Sequence, residues 1–180
     1  VTSSLPEALR ELLEEELGEE CATVADMPDE LELIGRDELT DDMLPALASV
    51  QQLDLSECTN IHNVGVLGGV RNLCLNECTG VRDVSGLGGV QDLGMYGCTG
   101  VEDVSALGEV ESLNLSQCTG VRDVSALGKV KTLELCSCTQ VSDVSALGTV
   151  HTLYLDDCTA VRDVSALGTV HTLSLRNCAG

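Results

Sequence analysis

The sequence predicts an α/β solenoid. Short parallel strands form a concave sheet, loop or 3₁₀ segments form the convex side, and a helical cap covers the N-terminal end. Two observations lead to this prediction. A unit of 20 residues recurs from position 50 onward, and the chain has two Tyr, no Trp and no Phe although 43% of its 180 residues are hydrophobic. Because a compact core normally relies on aromatic side chains, thin stacked layers of Leu, Val, Ala and Cys fit this composition better.

The first 49 residues lie outside the repeat, and we expect residues 1–49 to form an acidic helical cap. Apolar residues at helical spacing from Leu5 to Leu17, with Pro6 near the start and Gly18 after the end, predict an amphipathic helix. The segment 39–50 reads as a degenerate half-repeat. Fifteen acidic and two basic residues give this part a net charge of −13, out of −21 for the chain. The cap therefore carries most of the acidity.

Seven strand units, each V-x-x-L-x-L-x-x-C-T-G-V-x-D-V-S-A-L-G-x or a close variant, fill residues 50–180. The L-x-L alternation predicts a short strand that points both leucines to one face. After it, the spacing of Val121, Val124 and Leu127 suits a 3₁₀ turn, and Gly128 permits the bend into the next strand. One such turn cannot bury its own apolar face, so we expect neighbouring turns to stack.

These residues resemble the leucine-rich-repeat family, whose pattern is L-x-x-L-x-L-x-x-N/C-x-L, over about residues 50–180. The D-V-S-A-L segment is similar to the short repeats of the SDS22-like and internalin type. Cys at the Asn position is similar to the cysteine-containing repeats of F-box proteins, although those units are longer. The resemblance implies a parallel sheet on the concave face, irregular or 3₁₀ segments on the convex face, and a role in binding other proteins.

Seven of the ten cysteines form a ladder with a period of 20 residues: Cys58, Cys78, Cys98, Cys118, Cys138, Cys158 and Cys178. We expect reduced thiols inside the coil, acting as small apolar fillers with a weak donor. Zinc is excluded, because Cys136 and Cys138, the closest pair, fall on opposite faces of a strand. No metal or cofactor is predicted. Reduced thiols favour the cytoplasm or another reducing intracellular compartment.

Two further ladders have chemistry that could bind ions. Aspartates precede V-S-A-L or a close variant at positions 83, 103, 123, 143 and 163. We interpret them as helix caps, since Asn63 can do the same without charge, and leave calcium as a minor alternative. His151 and His171 hold equivalent places one turn apart. A histidine pair can bind a metal or sense pH, but stacked surface side chains at the sheet margin are favoured.

The charge and the missing motifs exclude several function classes. A net charge of −21 disfavours nucleic acid and anionic membranes as partners, and it favours basic proteins or serves solubility alone. No segment approaches the ~18 apolar residues of a membrane span. The chain contains no G-x-S-x-G, P-loop or H-E-x-x-H motif. We therefore predict a protein that is not an enzyme.

The copies differ most at the outward strand positions, whereas the core positions scarcely change. Both tyrosines fall among these outward positions, and Tyr is favoured at binding hot spots. Gly94 and Gly97 beside Tyr96 predict a shallow pocket. Drift at unconstrained exposed positions is the alternative. The predicted partner-binding residues are Asp54, Asn76, Tyr96, Asn114, Glu134, Tyr154, Asp156 and Arg176.

The resulting prediction is a protein–protein interaction module that binds a partner on its concave sheet. The first alternative is an acidic chaperone-like binder of basic proteins, similar to the acidic nuclear leucine-rich proteins. The second is a substrate-recognition adaptor of a larger complex, although residues 1–49 show no convincing F-box-like segment. The chain stops after the seventh strand unit without a polar cap. We expect either truncation there or packing of this end on a partner, and the oligomeric state stays open.

Overall fold

Eight parallel strands form one sheet in the computed structural model of the chain, which describes residues 5–18 and 23–178. The strands follow one another in the sheet in chain order: β1 Glu30–Glu32, β2 Gln52–Asp54, β3 Asn72–Cys74, β4 Asp92–Gly94, β5 Ser112–Asn114, β6 Thr132–Glu134, β7 Thr152–Tyr154 and β8 Thr172–Ser174. Each central leucine pairs with the central leucine of the next strand. The predicted α/β solenoid with a parallel sheet is confirmed.

Short 3₁₀ helices lie opposite the sheet and return the chain to the next strand. They span Val24–Asp26, Gly65–Leu67, Leu87–Gly89, Ser105–Leu107, Ser125–Lys129, Ser145–Thr149 and Ser165–Thr169. The three-residue spacing of valine and leucine predicted these 3₁₀ helices. In the turn at residues 124–127 the matching hydrogen bond is present, because Leu127 N–H donates to Val124 O at 3.0 Å. Val121, Val124 and Leu127 are all buried, so the apolar side of each turn faces the stack.

A helix, α1 Glu7–Leu17, covers the N-terminal side of the stack through its buried Leu9, Leu12 and Leu13. It begins two residues later than predicted because Pro6 lies directly before its first turn in an extended conformation. Gly18 ends it in the left-handed region, φ 68°, where glycine is favoured. A second helix, α2 Leu44–Leu47, is one turn long and contacts the first 3₁₀ helix of the repeats.

Strand β1 was not predicted from the sequence. Its Leu31 is buried, and the strand adds its main-chain bonds to β2 at the N-terminal edge of the sheet. After β1, Arg36 forms ion pairs with Glu15 and Glu16 of α1, and the Glu16 hydrogen bond is the largest of the effects that raise the pKa of the Arg36 guanidinium. The N-terminal helix and the first strand are thus held together by charge as well as by packing.

The cysteine ladder supplies a hydrogen bond between turns. Each thiol donates to a main-chain carbonyl oxygen of the preceding turn at 2.9–3.0 Å: Cys58 to Leu33, Cys78 to Leu55, Cys98 to Leu75, Cys118 to Met95, Cys138 to Leu115, Cys158 to Leu135 and Cys178 to Leu155. From Cys78 onward the same carbonyl also accepts a main-chain N–H, as Leu75 O does from Cys78 at 3.1 Å, so the thiol fills space and gives that carbonyl a second donor. Burial raises the pKa of Cys98, Cys118, Cys138 and Cys158 to about 12.

Candidate functional site

The concave surface consists of three rows of side chains that alternate with buried leucines along each strand. The first row, before the central leucine, is Glu30, Gln52, Asn72, Asp92, Ser112, Thr132, Thr152 and Thr172. The second row, after it, is Glu32, Asp54, Cys74, Gly94, Asn114, Glu134, Tyr154 and Ser174. The third row, two residues further on, is Ser56, Asn76, Tyr96, Ser116, Cys136, Asp156 and Arg176.

The structure divides the eight predicted binding residues between two of these rows. Asp54, Asn114, Glu134 and Tyr154 lie in the second row. Asn76, Tyr96, Asp156 and Arg176 lie in the third row. All are half-buried except Arg176, which is exposed. The first row was not singled out by the sequence, although it lies on the same face.

Several of the predicted binding residues also stabilise the turn that follows each strand. Asp54 Oδ1 accepts hydrogen bonds from the main-chain N–H and the hydroxyl of Ser56, at 2.8 and 2.5 Å. Asn114 Oδ1 accepts the N–H of Ser116 at 2.8 Å. One oxygen of these side chains is therefore engaged within the protein, and only the remaining polar atoms are open to a partner.

In the third row the same kind of bond joins neighbouring turns. Asn76 Oδ1 accepts the Tyr96 N–H at 2.9 Å. Asp156 Oδ1 accepts the Ser174 hydroxyl at 2.5 Å and the Arg176 N–H at 2.8 Å, and these bonds, the Ser174 bond first, lower the pKa of the Asp156 carboxyl. The backbone that carries Tyr96 is thus fixed by a side chain of the previous repeat.

A groove of about 360 Å³ lies on the N-terminal half of this face and crosses β1 to β5. We call it the N-terminal groove, the cavity bounded by Glu30, Glu32, Asp54, Asp92 and Gly94. Its lining holds these four carboxylates and no Lys, Arg or His. The sequence indicated an opening at Gly94 but placed it around Tyr96, which does not line the groove. It also missed Glu30 and Glu32, because β1 was not predicted.

Gly94 opens the groove by leaving out the side chain that the other repeats have at this position. A Cβ atom on Gly94 would lie 3.3 Å from Asn76 Oδ1 and 3.4 Å from Cys74 Sγ. Cys74 Sγ in turn lies 3.1 Å from Ser56 Oγ. The backbone at Gly94 does not have a positive φ, so a larger residue there would fill the groove without straining the main chain.

One margin of the sheet carries a ladder of polar side chains: Arg71, Gln91, Glu111, Lys131, His151 and His171. Glu111 accepts from both neighbours, 3.1 Å from Lys131 Nζ and 2.9 Å from Gln91 Nε2, and the Lys131 bond is the larger cause of the lowered pKa of its carboxyl. His151 and His171 are exposed and stack with ring centroids 4.7 Å apart. The histidine pair thus ends a surface ladder.

The aspartate ladder bonds to its own turns. In each copy Oδ1 accepts the N–H of the serine two residues later at 2.9 Å: Asp83, Asp103, Asp123, Asp143 and Asp163. These bonds lower the pKa of the Asp103 carboxyl, the Ser105 N–H having the largest effect. In residues 5–18 and 23–178 no group of three or more His, Cys, Asp or Glu is placed to hold a metal ion. No described helix is long and apolar enough to cross a membrane.

Comparison with known proteins gave no matching family model and no matching curated protein. Solved structures do match. Internalin C2 of Listeria monocytogenes is 20% identical with a TM-score of 0.56, over 94% of this chain and 92% of that one. An internalin (InlF) of the same bacterium is 16% identical with a TM-score of 0.60, over 96% of this chain and 65% of that one. At such identities the likeness establishes the fold. The chain is a leucine-rich-repeat solenoid.

A third leucine-rich-repeat structure has the same architecture as this solenoid. The leucine-rich-repeat domain of the type III effector XopL is 17% identical with a TM-score of 0.54, over 75% of this chain and 56% of that one. The 20-residue period and the 3₁₀ convex side agree with the predicted resemblance to internalin-type short repeats. The predicted cysteine ladder is present, with nine described cysteines in the free form.

Proposed function

We propose that this leucine-rich-repeat solenoid is a protein-interaction module that binds its partner on the concave face. The observation that carries the proposal is the N-terminal groove, a preformed depression on the sheet surface where the repeats differ most. Tyr96 and Tyr154, the only aromatic residues of the chain apart from histidine, lie on the same face. Half-buried tyrosines on a rigid sheet are suited to be anchors of an interface.

A binding role is proposed in preference to catalysis. Polar side chains of the concave face, such as Asp54 and Asn76, use an oxygen atom to accept a main-chain N–H, which suits a structural role better than a catalytic one. A reducing compartment is part of the proposal, because the ladder thiols act as hydrogen-bond donors in the reduced form.

An acidic binder of basic proteins is the second candidate function. It is favoured by the charge of residues 1–49, where α1 presents exposed glutamates such as Glu14 and Glu15 to solvent. Binding through this cap would fall steeply with added salt, because exposed charges are screened over about 10 Å at 0.1 M salt. Binding anchored by tyrosines on the sheet would depend on salt much less.

The test of concave-face binding is capture of partners from a reducing cell lysate by the wild type and by a Tyr96→Ala/Tyr154→Ala double variant. Partners bound by the wild type are identified and then titrated one by one as purified proteins. We expect the double variant to bind at least tenfold more weakly, since hot-spot residues contribute about 2 kcal/mol each. Its unfolding free energy should change by about 1 kcal/mol or less, because neither side chain is in the core.

Val66→Ala is the matched control. Val66 is 48% exposed on the 3₁₀ side of the repeats, so its truncation removes apolar surface away from the sheet. It should leave affinity within twofold of the wild type. Equal affinity of the wild type and the tyrosine double variant for every identified partner would contradict binding on the concave face.

A further inference from the structure

We propose that the N-terminal groove receives an extended segment of a partner protein that carries two basic residues, Lys or Arg, about four positions apart. The inference rests on the proposed function, since it requires that the partner bind on the concave face. It adds to that function the chemistry and the spacing that the partner must have.

The charge of the groove selects the occupant. Its four carboxylates form no ion pair with any described residue. Asp54, which lines the groove, uses Oδ1 to accept from Ser56, so Oδ2 can accept from a partner. Asp92 Oδ2 accepts a hydrogen bond from the side-chain amide of Asn72 at 3.2 Å. Unpaired carboxylates around one depression attract cationic side chains.

The distribution of charge along the chain also favours a basic occupant of the groove. Residues 1–49, which precede the repeats in the chain, have fifteen acidic and two basic residues. Lys131 and Arg176 lie beside the sixth and eighth strands, beyond the groove, whereas Arg71 lies on the margin before β3 and donates from Nε to Gln91 Oε1 at 2.8 Å. The three rows of the concave face are thus acidic over β1 to β5 and mixed beyond them, which orients a basic segment toward β1 to β5.

The dimensions of the groove set the length of the segment. Five neighbouring strands span about 19 Å, because parallel strands lie about 4.8 Å apart. An extended chain covers about 3.3 Å per residue, so roughly six residues cross the groove. Glu32 and Asp54 stand at one end, on β1 and β2, and Asp92 stands on β4. That separation of about 12 Å corresponds to roughly four residues of the bound segment.

The middle of the groove favours small or apolar residues between the two basic ones. Its floor is formed by the main chain at Leu73 and Leu93, whose side chains are buried in the core, and by Cys74 and Gly94. Because Gly94 has no side chain, the backbone of the segment can approach the sheet closely there. Cys74 and Asn76 on the neighbouring repeat limit the size of the partner side chain that can lie over Gly94.

The test uses a phage-displayed library of random dodecapeptides, selected on the immobilised wild-type protein in reducing buffer. We expect an enriched consensus with two basic positions about four apart. The consensus peptide, made synthetically and titrated by fluorescence anisotropy, should bind a Glu32→Gln/Asp92→Asn variant at least tenfold more weakly than the wild type. Both substitutions are isosteric, so the fold should be retained.

Two controls distinguish binding in the groove from nonspecific attraction to an acidic protein. A Glu38→Gln/Glu102→Gln variant removes the same charge from exposed loops outside the groove and should bind within twofold of the wild type. A Gly94→Leu variant, which fills the groove, should lose binding. Thr152→Leu, on the same face beyond the groove, should keep it.

Three outcomes overturn the proposal: no enriched consensus, a consensus without paired basic residues, or equal weakening by the groove and loop charge variants. If one of these is found while an identified partner still depends on Tyr96 and Tyr154, the groove proposal fails and the proposed function stands. If the peptide binds in the groove but no partner depends on the tyrosines, the tyrosine anchors are wrong and the groove is retained.

Discussion

Gly86 shows at the scale of a single residue how a repeat can depart from its own pattern for a steric reason. The four following repeats have alanine at this position: Ala106, Ala126, Ala146 and Ala166. A Cβ on Gly86 would lie 2.4 Å from Gly65 O and 2.5 Å from Gly65 Cα, which is closer than van der Waals contact allows. The main chain at Gly65 and Gly86 therefore approaches more closely than an alanine at position 86 would allow.

Gly86→Ala should lower the unfolding free energy by about 1–3 kcal/mol although it restores the residue of the other repeats, because overpacking strains the backbone. Gly168→Ala is the control. No atom lies within 4 Å of a Cβ built there, so we expect a change of less than about 1 kcal/mol, and a stabilising sign. Urea denaturation measures the unfolding free energy of both variants. An unchanged value for Gly86→Ala would contradict the steric explanation and show that the two turns can separate at little cost.

The binding residues could be predicted at this scale only in part. Variation between the copies indicated Asp54 and Asp156 as surface residues, and the structure places them on the concave face. The sequence could not show that one oxygen of each bonds to a main-chain N–H, because that depends on the angle between strand and turn. Whether these residues bind a partner remains a prediction.

Among the elements, the repeats were predictable and the first strand was not. The strict period of 20 residues fixes the register of β2 to β8, since each central leucine must pack on the next. Leu31 and Leu33 have the same L-x-L alternation, but Leu31 stands 22 residues before Leu53. The break in spacing hid β1, and with it two of the four carboxylates of the N-terminal groove.

The cysteine ladder predicts how the strands respond to alkaline pH. Burial raises the pKa of the Cys118 and Cys138 thiols to about 12, against an ordinary value of 9.0. Between these values the unfolded chain loses protons that the folded chain keeps, so stability is complete below pH 9 and falls as pH rises toward 12. Each thiol contributes a slope of up to about 1.4 kcal/mol per pH unit.

Urea unfolding at constant ionic strength from pH 7 to pH 11 measures this slope. We expect the midpoint to be nearly constant to pH 8.5 and to fall steeply above pH 9. A Cys118→Ala/Cys138→Ala variant has fewer ladder thiols and should show a shallower fall from a lower starting stability. A midpoint independent of pH up to 11, or the same slope in both proteins, would contradict the proposed role of the protonated thiols.

The whole molecule behaves as a stack in which each turn covers its neighbour. The central leucines of β1 to β7 are at most 3% exposed, whereas Leu173 of β8 is 38% exposed. Acidic residues are concentrated at the opposite end, in residues 1–49. The composition changes along the stack, so position along the stack as well as face determines what a partner meets.

Hydroxyl-radical footprinting tests concave-face binding most directly, by comparing side-chain oxidation in the free solenoid and in its complex with an identified partner. Tyr96 and Tyr154 report on the sheet face, and His62 and Val66, in the loop and 3₁₀ turn of the first repeat, report on the rest of the surface. The account predicts that oxidation of at least one tyrosine falls severalfold in the complex while that of His62 and Val66 is unchanged. Protection of His62 and Val66 with both tyrosines still oxidised would contradict it.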